Sequence, residues 1–465
     1  SAGTTTYTSI SGSAQTVAAT TAATTISTSG TTTLRAKVTD GTNTIYSNNY
    51  VVKVDKNAPT NVAPTATSTT NSISVASKQT DNLSGINGST IRYAIYKDGK
   101  WSAWQTSDTF TGLIHNAEYK VKTQVSDNVG NTSESNETTI STKKLEAGTL
   151  KLNLINASGN SYVSGQWTKS NVYVSLSQAQ YGTSNYESIS GSAQTVATGT
   201  TADSLITKAG ITTLRVKTVD GPNTVYSQNY IVKVDNQNPT AGTLTMKLNS
   251  STGSTYTSGN WTNQNVWIHK NDGSDNLSGH QSTTYNVSGA ETLNNQTADN
   301  TLQTEGTYTL TVKTLDKVSN SSTRGYTVKI DKTAPTDAAP TATATTNRIT
   351  VTFKQTDSLS GINNSSIQYA IKDGNSWSSW QTSKTFTGLK TNQTYIIKTK
   401  ATDNAGNTRE SKELSITTTE LKAGTLTLTK ETATGSAYTS GQWSNKNVYV
   451  KLVQSSTGTS TYSNT

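Results

Sequence analysis

The stretch Tyr50-Val51-Val52-Lys53-Val54-Asp55-Lys56-Asn57-Ala58-Pro59-Thr60 decides how this chain is organised. It recurs with a few changes at 230–240 and 326–336. Its first half alternates apolar and polar residues and contains β-branched side chains, which predicts a half-buried strand. Its second half ends in X-Pro, which favours extended backbone and cannot continue a strand ladder. A final strand followed by a short, stiff joint, found three times, predicts β domains in tandem.

A longer repeat encloses these joints. Pro59 and Pro335 are 276 residues apart, and so are Trp167 and Trp443. An internal repeat of this kind is the mark of a protein built from copied structural units. The spacing predicts a cassette of three domains that occurs more than once in the chain.

The segments 58–143 and 334–420 share one set of motifs. In the first of them Asp98-Gly99 separates two strand patterns, which is a strong hairpin signal, and Leu113 precedes Tyr119 by six residues. Together these motifs resemble the fibronectin type III module. The resemblance implies a β-sandwich with a tyrosine corner, in which the tyrosine ring packs inward and its hydroxyl bonds the backbone upstream.

The segments 144–237 and 238–333 share a different set. Each has a Ser-Gly-x-Trp motif early on and an alternating strand pattern late, for example at 213–217. They resemble the Ig-like domains that bacterial surface proteins carry in long arrays. Since the chain has no cysteine for a bridge between sheets, we expect the motif tryptophans to fill that space, and stacking on a sugar is the alternative. They are Trp167, Trp261 and Trp443.

The fold class predicted from these patterns is all-β, a tandem array of Ig-like and fibronectin type III-like β-sandwiches joined by short Pro-containing linkers. We expect the partial domains to be completed by neighbouring sequence or by neighbouring copies. The six segments are a partial Ig-like domain at 1–57 (its C-terminal part), a fibronectin type III-like domain at 58–143, Ig-like domains at 144–237 and 238–333, a fibronectin type III-like domain at 334–420, and a partial Ig-like domain at 421–465 (its N-terminal part).

Composition narrows the class of function. Cysteine is absent, which excludes disulfides and thiolate chemistry. The net charge of +9 is spread thinly, so we expect no nucleic-acid partner, although weak attraction to a cell-wall polymer or glycan stays open. No apolar run approaches the roughly 20 residues of a membrane span, so none is expected in this fragment.

The sequence predicts that the chain is not an enzyme. Its three histidines are His115, His269 and His280, and none has a metal-ligand spacing or lies beside a Gly-x-Ser-x-Gly nucleophile motif. His115 lies in a duplicated segment, where its counterpart is Thr391. We therefore interpret the histidines as solvated loop positions.

Acidic residues recur at the predicted loops around each joint. In a sandwich these loops share one pole, and three carboxylates with asparagine oxygens there could bind Ca²⁺, which takes 6–8 oxygen ligands. The alternative is that each Asp caps its own turn through Asx hydrogen bonds, with no metal. In segment 144–237 the turn is replaced by Gln180-Tyr181-Gly182-Thr183, and we expect no binding. The candidate ligands are Asp55, Asp81, Asp127, Asn131, Asp235, Asp275, Asp316, Asn320, Asp331, Asp357, Asp403 and Asn407.

A second stabilising chemistry, the Lys–Asn isopeptide bond, is disfavoured. Lys53, Lys233 and Lys329 lie on the last strand of their segments, but alternation points them away from the apolar face and toward water. The reaction needs a buried lysine.

These observations favour a non-catalytic structural repeat region, acting as a spacer, stalk or filament-forming segment of a bacterial extracellular cell-surface protein. The expected partners are neighbouring repeats or copies of the chain itself. Two alternatives stay open: an adhesin segment that binds a glycan or a host protein, and accessory modules of a secreted carbohydrate-active enzyme.

Overall fold

The computed structural model describes residues 3–463, and the chain is nearly all-β, with 49% strand and 1% helix. The predicted all-β fold class is confirmed. The chain divides after residue 236 into two compact units, and each is described by itself.

The first unit begins with a four-stranded antiparallel sheet. Strand β2 (Gly30–Thr39) is its centre and pairs with the other three strands. Strand β4 (Tyr50–Val54) covers the alternating half of residues 50–60, so the strand predicted there is confirmed. The strands are β1 (Thr4–Ser9), β2 (Gly30–Thr39), β3 (Thr44–Tyr46) and β4 (Tyr50–Val54).

Two sheets follow in residues 60–141. Their strands are β5 (Thr60–Ser68), β6 (Ile73–Thr80), β7 (Ile86–Lys97), β8 (Lys100–Trp101), β9 (Thr109–Phe110), β10 (Glu118–Asp127), β11 (Thr132–Glu134) and β12 (Thr138–Ser141). One sheet has the order β5-β6-β9, and the other has the order β11-β10-β7-β8 with β12 also on β10. Asp98 (φ 53°) and Gly99 (φ 79°) form the turn between β7 and β8, so the predicted hairpin is confirmed.

The tyrosine corner is also confirmed. The Tyr119 ring is buried, with 5% of its surface exposed, and its hydroxyl accepts a hydrogen bond from the Ile114 backbone N–H at 2.9 Å. In segment 334–420, the counterpart of 58–143, the Tyr395 hydroxyl accepts a hydrogen bond from the Lys390 N–H at the same distance. Both bonds reach five residues upstream, which fixes the loop that leads into the central strand.

Two further sheets complete the first unit. Their strands are β13 (Thr149–Leu154), β14 (Trp167–Thr168), β15 (Val172–Ser177), β16 (Thr183–Ser188), β17 (Ser204–Ile206), β18 (Gly210–Asp220), β19 (Asn223–Tyr226) and β20 (Tyr230–Val234). The sheets have the orders β13-β15-β17 and β14-β20-β18-β16, with β19 also on β18. The short strand β14 pairs with β20 in parallel.

The second unit repeats these arrangements. The strands in residues 243–330 are β21 (Thr243–Leu248), β22 (Trp261–Thr262), β23 (Val266–Asn271), β24 (His280–Gly289), β25 (Leu293–Gln296), β26 (Asn300–Leu302), β27 (Gly306–Asp316) and β28 (Ser321–Ile330). They form sheets with the orders β21-β23-β26 and β22-β28-β27-β24-β25.

The remaining strands are β29 (Thr341–Ala344), β30 (Arg348–Thr352), β31 (Gln368–Asp373), β32 (Ser376–Trp377), β33 (Thr385–Thr387), β34 (Thr394–Thr402), β35 (Thr408–Glu410), β36 (Leu414–Thr417), β37 (Thr425–Lys430) and β38 (Val448–Val453). Residues 341–417 form sheets β29-β30-β33 and β32-β31-β34-β35, with β36 also on β34, and residues 425–453 form the two-stranded sheet β37-β38. A 3₁₀ helix, Asn364–Ser366, precedes β31.

Within residues 3–463, buried hydrophobic side chains gather in four clusters that share no residue. They contain, as examples, Val121, Tyr186, Tyr285 and Ile397, each with none of its surface exposed. Each cluster is drawn from one pair of sheets, so each pair encloses a core of its own. The six segment boundaries stated above stay a prediction.

The motif tryptophans lie outside these cores, which corrects the expectation that they fill the space between sheets. Trp167 pairs with Lys233 across the parallel β14–β20 ladder. Val232 and Val234 point into the core, so alternation points Lys233 outward, and Trp167 lies beside its ammonium group at 5.9 Å. Trp261 and Lys329 repeat this contact, and Trp443 is fully exposed. The inter-sheet space is filled instead by Tyr186 and Tyr285 and their neighbours.

Candidate metal centres

Three of the predicted carboxylates meet within the first unit. Asp55 directly follows β4, Asp81 directly follows β6, and Asp127 ends β10. One oxygen from each lies within 4.8 Å of the others, and Asp127 is buried with 1% of its surface exposed. We call this group the first Asp triad.

Turn hydrogen bonds hold the first Asp triad in place. Asp81 Oδ1 accepts from the N–H groups of Leu83 (3.1 Å) and Gly85 (2.6 Å). Asp55 Oδ2 accepts from the Ser84 N–H at 3.0 Å, which ties the incoming chain to the same turn. Asp81 therefore makes the hydrogen bonds of an Asx turn, and the same turn brings its carboxylate to the other two.

Hydrogen bonding lowers the pKa of two members. The Ser84 hydrogen bonds hold the pKa of Asp55 below its ordinary value, against the effects of burial and of the Asp127 charge. Burial raises the pKa of Asp127, but hydrogen bonds from the Asn131 side chain and from the N–H groups of Val129 and Asn131 outweigh it and lower the pKa overall. Both carboxylates are therefore kept ionised at neutral pH.

The same arrangement recurs in the second unit as the second Asp triad, formed by Asp331, Asp357 and Asp403. Asp331 has none of its surface exposed and Asp403 has 2%. Asp357 Oδ1 accepts from the Gly361 N–H at 2.7 Å. Asp331 Oδ2 accepts from the Ser360 N–H at 2.9 Å, as Asp55 does in the first triad. The two sites are thus equivalent in their backbone contacts.

Two predicted ligands, Asn131 and Asn407, enter the triads through the side-chain nitrogen. The Asn131 Nδ2 donates to Asp127 Oδ2 at 2.6 Å and to the Asp55 carbonyl at 3.1 Å. The Asn407 Nδ2 donates to Asp403 Oδ2 at 2.8 Å and to the Asp331 carbonyl at 2.9 Å. In the structure these amides therefore act as donors that join the last hairpin loop to the joint.

The remaining predicted metal ligands also make hydrogen bonds within their own part of the chain. In the first unit Asp235 is buried after β20, and its N–H donates to the Thr168 carbonyl at 2.8 Å. In the second unit Asp275 Oδ1 accepts from the Gly279 N–H at 2.7 Å, and Asp316 Oδ2 accepts from the Asn320 Nδ2 at 2.7 Å. A metal site formed by Asp235, Asp275, Asp316 and Asn320 stays a prediction.

The joint before segment 144–237 uses direct hydrogen bonds. Residues 220–223, here called the clasp loop, reach the neighbouring sandwich of the first unit. The Asn223 Nδ2 donates to the Leu113 carbonyl at 3.0 Å, and its Oδ1 accepts from the His115 N–H at the same distance. Asp220 Oδ1 accepts from the Asn71 Nδ2 at 2.9 Å. This contact could not be predicted from the sequence, because the clasp loop and its hydrogen-bond partners lie more than 100 residues apart.

His115 is part of this joint, which corrects its interpretation as a solvated loop residue. Its Nδ1 accepts from the Leu145 N–H at 3.1 Å, and Leu145 is buried. In the second copy the Thr391 hydroxyl accepts from the Leu421 N–H at 2.6 Å. A hydroxyl oxygen therefore replaces the imidazole nitrogen as the acceptor at this position.

The other two histidines lie in strands and not in loops, which corrects that part of the prediction. His269 lies in β23, where its ring stacks on Trp267 and its Nδ1 contacts Asp299 Oδ1 at 2.7 Å. His280 begins β24, and its Nε2 contacts the Thr283 hydroxyl.

The chemistry of the triads suits a hard cation. Among residues 3–463, none of the ion pairs involves any of the six triad carboxylates. Three carboxylates that lie this close repel one another unless a positive charge intervenes. Carboxylate oxygens are the ligands that Ca²⁺ prefers, and waters commonly supply the rest of its shell. The donor set therefore fits Ca²⁺, with one carboxylate from each of three loops.

The acid dependence of this site follows from the lowered pKa values of Asp55 and Asp127. Because the folded-state pKa lies below the unfolded one, the unfolded chain binds more protons, and stability rises with pH. This contribution is present above the ordinary value of about 3.8 and is lost as pH falls through the lowered pKa. We expect the thermal unfolding midpoint of the first unit to fall when the pH is lowered below about 3.8. This fall should be smaller in Asp55→Asn, because that variant lacks one of the two carboxylates. An equally large fall of the midpoint in that variant would contradict the attribution of this acid dependence to Asp55.

Comparisons with known proteins give likeness in fold alone. No protein-family model matches the chain, and no curated protein matches it. Among solved structures, a tetra-tandem repeat from the extending region of a large adhesion protein is 12% identical, with a TM-score of 0.29, over 78% of this chain and 100% of that one.

Two other similar structures have comparable scores. A Ca²⁺-stabilised adhesin of an Antarctic bacterium is 14% identical, with a TM-score of 0.22, over 76% of this chain and 94% of that one. Domains 1–5 of protocadherin gamma B2 are 12% identical, with a TM-score of 0.24, over 84% and 86%. These TM-scores are too low for a shared function to follow. The described residues include no helix with the length and apolar character of a membrane span.

Proposed function

We propose that the chain is a non-catalytic structural repeat region, a spacer or stalk, of a bacterial extracellular surface protein, and that Ca²⁺ stiffens its joints. The observation that carries the proposal is the recurrence of the Asp triad. The same three loops, with the same hydrogen bonds, meet at the start of both fibronectin type III-like segments.

The position of the triads supports a mechanical role. Asp55 and Asp331 each belong to the chain entering a segment, whereas Asp81, Asp127, Asp357 and Asp403 belong to loops of that segment. A cation bound by all three carboxylates would therefore link the entering strand to the next sandwich. Such a link restricts bending at the joint, because the entering chain and two loops must keep one coordination geometry.

The separate cores support the same role. Because the buried clusters share no residue, each sandwich is stabilised by its own core and by its nearest neighbours. Each added segment therefore lengthens the chain. Copies of such a segment can be added without rebuilding the rest.

The experiment is small-angle X-ray scattering of the whole chain in Ca²⁺ and in a chelator. We expect the radius of gyration to be larger and the distribution of conformations narrower in Ca²⁺. The matched variant is Asp81→Asn with Asp357→Asn, since Oδ1 of the asparagine can keep the turn hydrogen bonds while one negative charge is lost from each triad. The control is Asp108→Asn, an exposed residue outside both triads. Scattering that does not respond to Ca²⁺ would refute the stiffening role.

One observation favours a second candidate function, that of an adhesin segment. Trp267 stacks on His269 with ring centroids 5.7 Å apart, and the counterparts of Trp267 are Tyr173 and Tyr449. A flat aromatic face on one strand is suited to contact with a sugar ring. The test is quenching of the chain's tryptophan fluorescence by cell-wall glycan fragments. Quenching that is absent in Trp267→Ala would support the adhesin function, and fluorescence that the glycans leave unchanged would count against it.

A further inference from the structure

The sheet β32-β31-β34-β35 of segment 334–420 carries a ladder of tryptophan and lysine side chains. The Lys398 ammonium group lies 4.4 Å from the centre of the Trp377 ring and 5.4 Å from that of the Trp380 ring. The Lys400 ammonium group lies 4.6 Å from the Trp380 ring. Because an aromatic face attracts a cation at these distances, the two rings fix the positions of two neighbouring ammonium groups.

A third lysine lies on the same face of this sheet. Lys372 is in β31, which pairs with β34, the strand of Lys398 and Lys400. Ile371 and Ile397 belong to the buried cluster of this segment, so alternation along each strand points the three lysines to the opposite, outer face. We call Lys372, Lys398 and Lys400 the lysine row.

Two members of the lysine row have no carboxylate partner within residues 3–463. The Lys398 Nζ pairs with Glu410 Oε2 at 2.6 Å. Lys372 and Lys400, in contrast, take part in none of the ion pairs of that part of the chain. Their positive charges are therefore open to a negative charge that another molecule supplies.

The corresponding face of segment 58–143 has the ladder but lacks these two lysines. Lys122, the counterpart of Lys398, also contacts two tryptophan rings and pairs with a glutamate, Glu134, at 2.7 Å. The other two positions of the row carry no cation in this segment. The counterparts of Lys372 and Lys400 there are Tyr96 and Gln124. The chain thus contains the same surface with and without the two unpaired charges.

Hydroxyl groups flank the lysine row on the same face. The hydroxyl oxygens of Thr402 and Thr408 lie 2.7 Å apart, and those of Thr394 and Thr417 lie 2.9 Å apart. Thr394 and Thr402 are each an even number of residues from Lys398 in β34, and the other two are their strand partners, so all four side chains point outward. A hydroxyl both donates and accepts hydrogen bonds, which suits the hydroxyl groups of a sugar.

We propose that the lysine row binds an acidic polysaccharide, with acidic groups of the polymer on the ammonium groups of Lys372 and Lys400. Charge complementarity requires a negative ligand, and the flanking threonines offer hydrogen bonds to its hydroxyl groups. Trp377 and Trp380 are partly exposed and give apolar surface to the sugar rings. The inference goes beyond the spacer function and depends neither on Ca²⁺ nor on Trp267.

The test is isothermal titration calorimetry of oligogalacturonate, which carries a carboxylate on every sugar, into the whole chain. A chelator in the buffer prevents Ca²⁺ from bridging the protein and the polymer. We expect one equivalent to bind, and binding to weaken as salt is added, because salt screens exposed charges. A neutral glucose oligomer of the same length should not bind, and duplex DNA should bind more weakly. Absence of oligogalacturonate binding, or equal binding of the neutral oligomer or of DNA, would overturn the proposal.

The matched variant is Lys372→Tyr with Lys400→Gln, which gives segment 334–420 the residues that segment 58–143 has at these positions. Because two charge-assisted contacts are lost, the affinity for oligogalacturonate should fall at least about tenfold. The control is Lys354→Gln with Lys384→Gln, which removes the same charge from two exposed residues beside the other sheet and should leave binding intact. Neither double variant should alter the circular dichroism. Full binding by the first, or an equal loss in the second, would show that the lysine row is not the site.

Discussion

Tyr285→Ala is expected to remove about 3–5 kcal/mol from the free energy of unfolding of one sandwich and to leave the others unchanged. Tyr285 has none of its surface exposed. Its hydroxyl donates to the Ala298 carbonyl at 2.9 Å and accepts from the Asn300 Nδ2 at 2.6 Å. The substitution therefore leaves a large cavity and removes a partner from two polar groups.

Differential scanning calorimetry is the measurement for this variant. For a domain of this size a loss of about 3 kcal/mol lowers the midpoint by roughly 12 °C or more. Because the four buried clusters share no residue, we expect one transition to shift and the rest to stay in place. The control is Tyr226→Ala, which removes a tyrosine that is 49% exposed. A uniform shift of the whole scan would show that the sandwiches unfold as one body.

Calcium is expected to stabilise the sandwiches at each occupied Asp triad by about 1.4–2.7 kcal/mol at concentrations of roughly 10–100 times the dissociation constant. Extracellular modules bind Ca²⁺ with dissociation constants of about 10⁻⁴–10⁻³ M, so about 10 mM Ca²⁺ covers this range. The physical reason is that the cation binds the folded arrangement of three loops, which the unfolded chain lacks.

The matched comparison for this effect is thermal unfolding of the wild type and of Asp81→Asn with Asp357→Asn, each in Ca²⁺ and in a chelator. We expect the wild type to lose stability in the chelator and the double variant to respond much less. Magnesium is a further control, because its smaller shell requires near-octahedral geometry. Equal responses of the two proteins to Ca²⁺ would exclude the triads as the site of stabilisation.

Local patterns in the sequence predicted much of the fold. Alternation identified β4, the dipeptide Asp98-Gly99 identified a hairpin, and the Leu113–Tyr119 spacing identified the tyrosine corner. Each of these features is determined by residues close together in the chain. The grouping of Asp55, Asp81 and Asp127 could also be predicted, because loops at one pole of a sandwich must lie near one another.

Contacts between distant residues could not be predicted in this way. Trp167 lies in a strand of two residues, too short to show an alternating pattern, and its outward direction is set by the parallel partner Lys233. Asn223 meets His115 across 108 residues, and nothing in the sequence around either residue indicates the other. The choice of the Asn131 nitrogen over its oxygen depends on the Asp55 carbonyl, whose direction is visible only in the folded joint.

Isothermal titration calorimetry of Ca²⁺ into the whole chain tests whether the Asp triads bind the cation. We expect saturable binding in the wild type and the same binding in Asp108→Asn. The double variant Asp81→Asn with Asp357→Asn should bind at least two fewer equivalents of Ca²⁺. Absence of binding in the wild type, or full binding by the double variant, would contradict binding at the triads.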